Sequence, residues 1–228
     1  MNRLANSDEL AATLAADTAA TLRAAIAERG VAGLAVSGGR TPERFFGALS
    51  QQNLDWSRVT VTLVDERWVP ETSPRSNAAL VRRALIRNAA AAARFVPLYN
   101  GADTPEAGRA ALEATVAALP SPFATVVLGM GDDGHTASFF PGGNELAHAL
   151  DLGSTDKIVT MEADGAGEPR ITFSLAALLH TDRLVVHIEG AGKLAVLEKA
   201  EAEGSAEEMP IRAVLRQKQV PVNIYWCP

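Results

Sequence analysis

Val31-Ala32-Gly33-Leu34-Ala35-Val36-Ser37-Gly38-Gly39-Arg40-Thr41-Pro42 is a short apolar run that stops at two glycines and restarts at Thr-Pro. A run without polar alternation suits a strand covered on both faces. Two glycines let the backbone turn tightly, and Thr41-Pro42 reads as an N-cap followed by a first helical residue. Strand, glycine turn and helix in that order begin a βαβ unit, and the segments on either side repeat the alternation.

Upstream, Leu10, Leu14, Leu22 and Ile26 recur near helical spacing behind Ser7 as N-cap, with Gly30 closing the helix. Downstream, the pattern predicts a strand from Val59 to Asp65, a helix from Asn77 to Asn88, a strand from Phe95 to Leu98, a helix from Pro105 to Leu119 and a strand from Ala124 to Leu128. Further strands are expected at Lys157 to Met161, Ile171 to Phe173, Leu184 to Glu189 and Pro221 to Trp226, with helices at Ser174 to Leu179 and Lys193 to Ala202. Pro141 to Asp156 is the least regular stretch. The expectation is an α/β fold, a doubly wound and mainly parallel sheet with helices on both faces, in one domain spanning 1–228.

The 228 residues are 47% hydrophobic and 21% charged, enough to bury a sizeable core and too ordinary for a disordered chain. Twenty-one Lys and Arg against 27 Asp and Glu leave a net charge of −6, which argues against a nucleic-acid or anionic-membrane partner. A small phosphorylated ligand held by a few local cations remains compatible with it. A lone cysteine, Cys227, allows neither an internal disulfide nor a cysteine-based zinc site and suits a reducing compartment. Met1 to Thr21 carries Asp8, Glu9 and Asp17, unlike a signal or transit peptide. No unbroken apolar run approaches the ~20 residues of a membrane span. A cytoplasmic location is expected.

Doubly wound sheets bind ligands beyond the carboxyl ends of their strands, so the strand-to-helix loops are the candidates. In Ser37-Gly38-Gly39-Arg40-Thr41-Pro42 the glycines bring backbone N–H groups close to a ligand and Arg40 adds charge, the makings of an anion site or of a plain turn. The segment also resembles a serine-hydrolase nucleophile elbow, but that elbow runs straight into its helix, whereas Pro42 comes five residues after Ser37. Gly129-Met130-Gly131-Asp132-Asp133-Gly134-His135 has the spacing of a dinucleotide fingerprint; Pro141-Gly142-Gly143 stops any following helix and two acids would repel a diphosphate. What it does offer is a histidine beside carboxylates, and a carboxylate can fix the tautomer of His135 and raise its basicity as a general base. Asp132 and Asp133 are equal candidates for that partner by sequence. Of the other histidines, His187 reads as a core or face residue of a strand, His180 as a helix C-terminal residue, and His148 falls in the irregular stretch.

For a metal, Asp133 with His135 and Glu145 with His148 supply pairs but no third histidine ligand, so none is expected. Asp65-Glu66-Arg67 ends its strand on the ligand side, where Arg67 can orient a substrate or the three charges can form a solvated cluster. Arg170 opens Arg-Ile-Thr-Phe-Ser as a further cation or a surface ion pair. Lys193, early in its helix, opposes the helix dipole at a cost of up to ~1 kcal/mol unless an anion such as phosphate sits there.

Four segments in order, Ser37-Gly38-Gly39-Arg40-Thr41-Pro42, Asp65-Glu66-Arg67-Trp68-Val69-Pro70 with Ser76-Asn77, Gly129 through Gly142, and Arg170-Ile171-Thr172, resemble the 6-phosphogluconolactonases. The resemblance spans Val31 to about Lys199 and implies a NagB/RpiA-like, Rossmann-like fold. It also implies hydrolysis of 6-phospho-D-glucono-1,5-lactone, the second step of the pentose phosphate pathway, with no cofactor and no metal. In that reading His135 is the base, Asp133 its orienting acid and Arg67 the residue that orients the lactone. Ser37, Gly38, Gly39, Arg40, Thr41, Arg170 and Lys193 hold the phosphate. Arg40 stands where family members often have Ser or Thr. The partner implied is a small phosphorylated sugar lactone, not nucleic acid or membrane, and a monomer is compatible with it. Glucosamine-6-phosphate deaminases share the glycine turn and the Asp-Gly-His loop but continue into Asn-Glu-Pro, whereas Ser138-Phe139-Phe140-Pro141 follows here. A deaminase/isomerase and a non-catalytic phosphosugar-binding module are the alternatives.

Overall fold

The structure, a computed structural model, describes all 228 residues. In chain order the elements are β1 (Asn2–Arg3), α1 (Ser7–Arg29), β2 (Ala32–Val36), α2 (Glu43–Leu49), β3 (Val59–Leu63), β4 (Asp65–Arg67) and α3 (Asn77–Ala84). Then follow β5 (Arg94–Val96), α4 (Pro105–Ala117), β6 (Thr125–Leu128), α5 (Leu146–Leu150), β7 (Ile158–Met161) and β8 (Arg170–Phe173). The last are α6 (Leu175–Leu179), β9 (Leu184–Glu189), α7 (Ala191–Glu201), α8 (Ile211–Arg216) and β10 (Val222–Cys227).

Seven strands form one wholly parallel sheet in the order β1-β10-β9-β6-β2-β3-β5. Every residue of β2 and of β6 is buried, as central strands covered on both faces must be. Connections from β2 run outward to β3 and β5, and from β6 outward to β9 and β10. The strand order therefore reverses between β2 and β6, and the loops after those two strands flank the crevice where such sheets take ligands. Ser37 N donates to Val127 O at 2.9 Å and Gly129 N donates to Ser37 Oγ at 3.0 Å, tying the two loops together. Ser37 is thus a strut between strands rather than a nucleophile on an elbow.

A second sheet, β4-β8-β7, is antiparallel and was not expected. The single strand predicted from Val59 to Asp65 breaks at Val64, whose N–H bonds Val36 O in the main sheet at 3.0 Å while its carbonyl accepts from Phe173 N at 2.9 Å. Asp65-Glu66-Arg67 then pairs with β8. Apolar patterning cannot register such a switch, because Val64 is buried in either sheet.

Helix ends differ from the sequence reading in small, physical ways. Asn6, not Ser7, caps α1: its side chain accepts from Asp8 N and Glu9 N, while the Ser7 hydroxyl turns to Glu189. Pro42 occupies the cap position of α2 and makes no side-chain cap bond, so Thr41 lies outside the helix. The helix expected to reach Asn88 ends at Ala84, and the irregular Pro141 to Asp156 stretch holds the short α5. α1 is long and apolar enough by composition to cross a membrane, although Leu10, Leu14, Ala15, Ala19 and Leu22 are fully buried against the domain core. Full burial contributes about 1.5–3 kcal/mol for each leucine.

Candidate active site

A cavity of about 250 Å³ opens at the β2/β6 switch point, walled by both flanking loops. On the β6 side the chain folds back on itself, with Gly131 N donating to His135 O at 2.8 Å. Within that turn Asp133 Oδ1 accepts from His135 N at 3.0 Å and lies 2.6 Å from His135 Nδ1. Burial would raise the Asp133 carboxyl, but the hydrogen bonds from the His135 ring and backbone, with the ring's charge, overturn that and hold it at about 2. Facing an ionised carboxylate, Nδ1 must carry the proton, which leaves the Nε2 lone pair open as a base. The ring stacks on Phe140 with centroids 4.4 Å apart, fixing its plane. Asp132 takes no part: its carboxylate reaches Lys193 Nζ at 2.6 Å. The tertiary structure thereby selects Asp133 between the two acids.

Acids read as a solvated cluster at the end of the 59–65 strand are in fact buried. Glu66 accepts from Arg67 N, Asn77 N, Ala78 N and Ser76 Oγ, so it seals the first turn of α3. Burial pushes its carboxyl up while those backbone N–H groups pull it down. Asp65 accepts from Ser138 Oγ at 2.6 Å and lies 3.8 Å from Arg170 Nη1. Arg170 is no surface ion pair: it is 6% exposed, its Nη2 donates to Ala166 O at 2.6 Å, and its guanidinium lies over the Phe140 ring. Arg67, directly opposite it across the β4/β8 pairing, donates to Arg75 O. Arg67 Nε and Arg170 Nε are buried N–H donors with no acceptor in the protein.

Ser37, Gly38, Gly39, Thr41, Arg67, His135, Arg170 and Lys193 all line the cavity. Arg40 does not; it is exposed beyond the wall, so only three of the four cations come together. Asp133 stands behind His135. Among the cavity residues not foreseen as such are Asp65, Asn77 and His187. Asn77 presses on the glycine turn, since a Cβ on Gly38 would lie 1.9 Å from its Oδ1. His187 is a buried strand residue as expected, yet it is also part of the wall; its place two residues from Glu189 at a strand's carboxyl end was the available signal. His180 caps the end of α6, and His148 pairs with Glu145 and Asp156 on the short α5. No three His, Cys, Asp or Glu side chains converge in an ion-sized cluster.

The family described as glucosamine-6-phosphate isomerases/6-phosphogluconolactonase matches residues 5–226. The chain belongs to this family. Among the members of the glucosamine-6-phosphate isomerase/6-phosphogluconolactonase family it resembles, a 6-phosphogluconolactonase of Rhizobium meliloti is 56% identical over 228 residues, covering 100% of this chain and 98% of the relative. One from Pseudomonas putida is 45% identical, with 100% and 93% covered. A crystal structure of a 6-phosphogluconolactonase from Shewanella baltica superposes with a TM-score of 0.97 at 40% identity, covering 100% of this chain and 97% of that one. A monomeric glucosamine-6-phosphate deaminase shares the fold at a TM-score of 0.75 and 21% identity.

Proposed function

We propose that the protein hydrolyses 6-phospho-D-glucono-1,5-lactone to 6-phospho-D-gluconate, the lactone-opening step of the pentose phosphate pathway. The observation that carries the reading is the Asp133–His135 pair, with Nδ1 spent on the carboxylate and Nε2 open at a cavity walled by cations. Neutral His135 takes a proton from water as the water oxygen bonds to the lactone carbonyl carbon. The tetrahedral oxyanion is stabilised by N–H donors, with Arg67 and the backbone of the glycine-rich loops as the groups available. As it collapses, the bond from that carbon to the ring oxygen breaks and His135 returns the proton to the departing oxygen. A δ-lactone is an activated ester, so neither a covalent nucleophile nor a metal is required by the chemistry.

Residues 1–228 are read as one domain for this activity, supported by the family match over 5–226 and by a contiguous core of 64 buried residues. A reducing, cytoplasmic setting suits its buried, unpaired Cys227. The Ser138-Phe139-Phe140-Pro141 continuation weighs against the deaminase reading: Ser138 is engaged with Asp65 and Phe140 with the His135 ring.

His135→Ala is expected to lose at least ~10²-fold in kcat, the usual contribution of a positioned base. The measurement is turnover of freshly prepared lactone with spontaneous hydrolysis subtracted, alongside a circular dichroism melt showing the variant folded. Near-normal turnover by that variant rejects the mechanism, and ammonia release from glucosamine 6-phosphate by the native protein rejects the assignment.

A further inference from the structure

The cavity wall carries a second carboxylate–imidazole pair that the reaction at His135 does not use. His187 is 3% exposed and lines the cavity. Its Nε2 lies 3.0 Å from Glu189 Oε1, and its Nδ1 has no hydrogen-bond partner in the protein. Residues two apart on a strand share a face, so β9 presents both groups together just before the chain turns into α7 and Lys193. Glu189 is itself held in place, because Ser7 Oγ donates to its Oε2 at 2.6 Å. The hydrogen bond from His187 keeps the Glu189 carboxyl below its ordinary range, with burial opposing and Ser7 assisting.

The His187 imidazole has one nitrogen on the Glu189 carboxylate and the other free to meet an anion at the cavity. Neutral, it offers that anion only the Nδ1 lone pair; protonated, it offers an N–H. The groups facing the pair from the packed elements are few. They are Ser7 of α1, Arg44 of α2, which acts on Glu189 and is also paired with Asp8, Cys227 of β10, whose sulfur lies 3.7 Å from Ser7 Oγ, and Lys193 of α7. Glu189 is the acid that bonds the ring.

The substrate's one permanent charge is its phosphate. Arg67 and Arg170 are already bonded to Arg75 O, Ala166 O and Asp65, whereas Lys193 is held only by Asp132, a carboxylate 90% exposed. Solvated pairs of that kind are weak and exchange readily. We propose that His187, as an imidazolium between Glu189 and the cavity, donates from Nδ1 to the substrate phosphate, shares that anion with Lys193, and so makes the protein prefer phosphorylated over plain lactones. The proposal rests on the lactonase reading above.

The test is steady-state kinetics of the intact protein on fresh 6-phospholactone and on unphosphorylated glucono-1,5-lactone across pH, for the native chain, His187→Asn and Glu189→Gln. Losing one charge-assisted hydrogen bond should raise the phospholactone KM of His187→Asn by roughly tenfold or more, with a smaller change in kcat. Its kcat/KM should fall about tenfold further on the phospholactone than on the plain lactone. In the native protein that KM should climb as rising pH discharges the imidazolium. The climb should vanish in His187→Asn and move to lower pH in Glu189→Gln, where the counter-charge is gone and the shape kept. Equal losses on the two lactones, or a KM profile unchanged by both substitutions, overturns the proposal while leaving the lactonase reading standing. Should His187→Asn fail to fold, the direction of the Glu189→Gln profile decides. Turnover of neither lactone by the native protein overturns both readings.

Discussion

At Gly131 the absence of a side chain is what allows the Asp133–His135 pair to exist. A Cβ there would lie 2.1 Å from His135 Nδ1 and 2.6 Å from Asp133 Oδ1, inside any real contact distance. Gly131→Ala must therefore push the imidazole off its carboxylate. Displacing a base by about 1 Å costs on the order of 10²-fold in rate, so kcat should drop by about that factor while a thermal melt stays close to native. A kcat within a few-fold of native would mean that the loop relaxes without moving the ring. The same residue explains why Gly-x-Gly-x-x-Gly spacing misleads here: the glycines serve a tight turn around Asp133 and His135, and no helix follows for a pyrophosphate to rest on.

The elements around the cavity are joined by groups that the sequence presents as ordinary surface charge. Glu66 belongs to β4, yet both of its oxygens are consumed by donors at the start of α3 and by Arg67 N, which locks strand and helix at a fixed angle. Glu66→Gln keeps the shape but turns one acceptor into an NH₂ facing N–H donors. Leaving buried groups unpaired costs about 1–3 kcal/mol each, so the urea midpoint should fall accordingly. Because Arg67 and Asn77 are positioned by the same carboxylate, lactone turnover should fall with it. An unchanged midpoint would show that α3 does not depend on this seal.

At the scale of the whole molecule, two sheets share one core. Phe173 of β8 meets Phe123, just ahead of β6, edge to face with centroids 5.7 Å apart. Phe173→Ala should cost about 3–5 kcal/mol, the usual range for a buried Phe, measured as a loss of unfolding free energy in a two-state urea titration. A loss below 1 kcal/mol would show that the antiparallel sheet rides on the main sheet without stabilising it. Charge is likewise uneven across the molecule: the chain is acidic by 6, yet Arg67, Arg170 and Lys193 line one cavity. An acidic net charge and a cation-lined cavity are compatible because net charge averages over a surface that the cavity does not share.

Most of the parallel sheet was legible from Val31 to Pro42 and its repeats, because a central strand must be apolar on both faces and a strand-to-helix turn needs its glycines. The loops holding His135, Arg67 and Ser37 were legible for the same reason, since such sheets put their ligands beyond the strands' carboxyl ends. Other features depend on pairings between distant segments, where local pattern is silent. Whether Val64 continues one sheet or begins another is set by Val36 O and Phe173 N. Whether Asp132 or Asp133 holds the histidine is set by the reach of Lys193 and the turn at Gly131. Whether Arg170 is surface or wall is set by Asp65 and Ala166, and whether His187 is core or cavity by the space left beside Glu189. Sequence alone determined the kind of sheet and the end at which the candidate site lies, through rules that act over a few residues; only the tertiary structure decided which charges meet there, because a buried charge is stable only beside partners that the chain brings from far along its length.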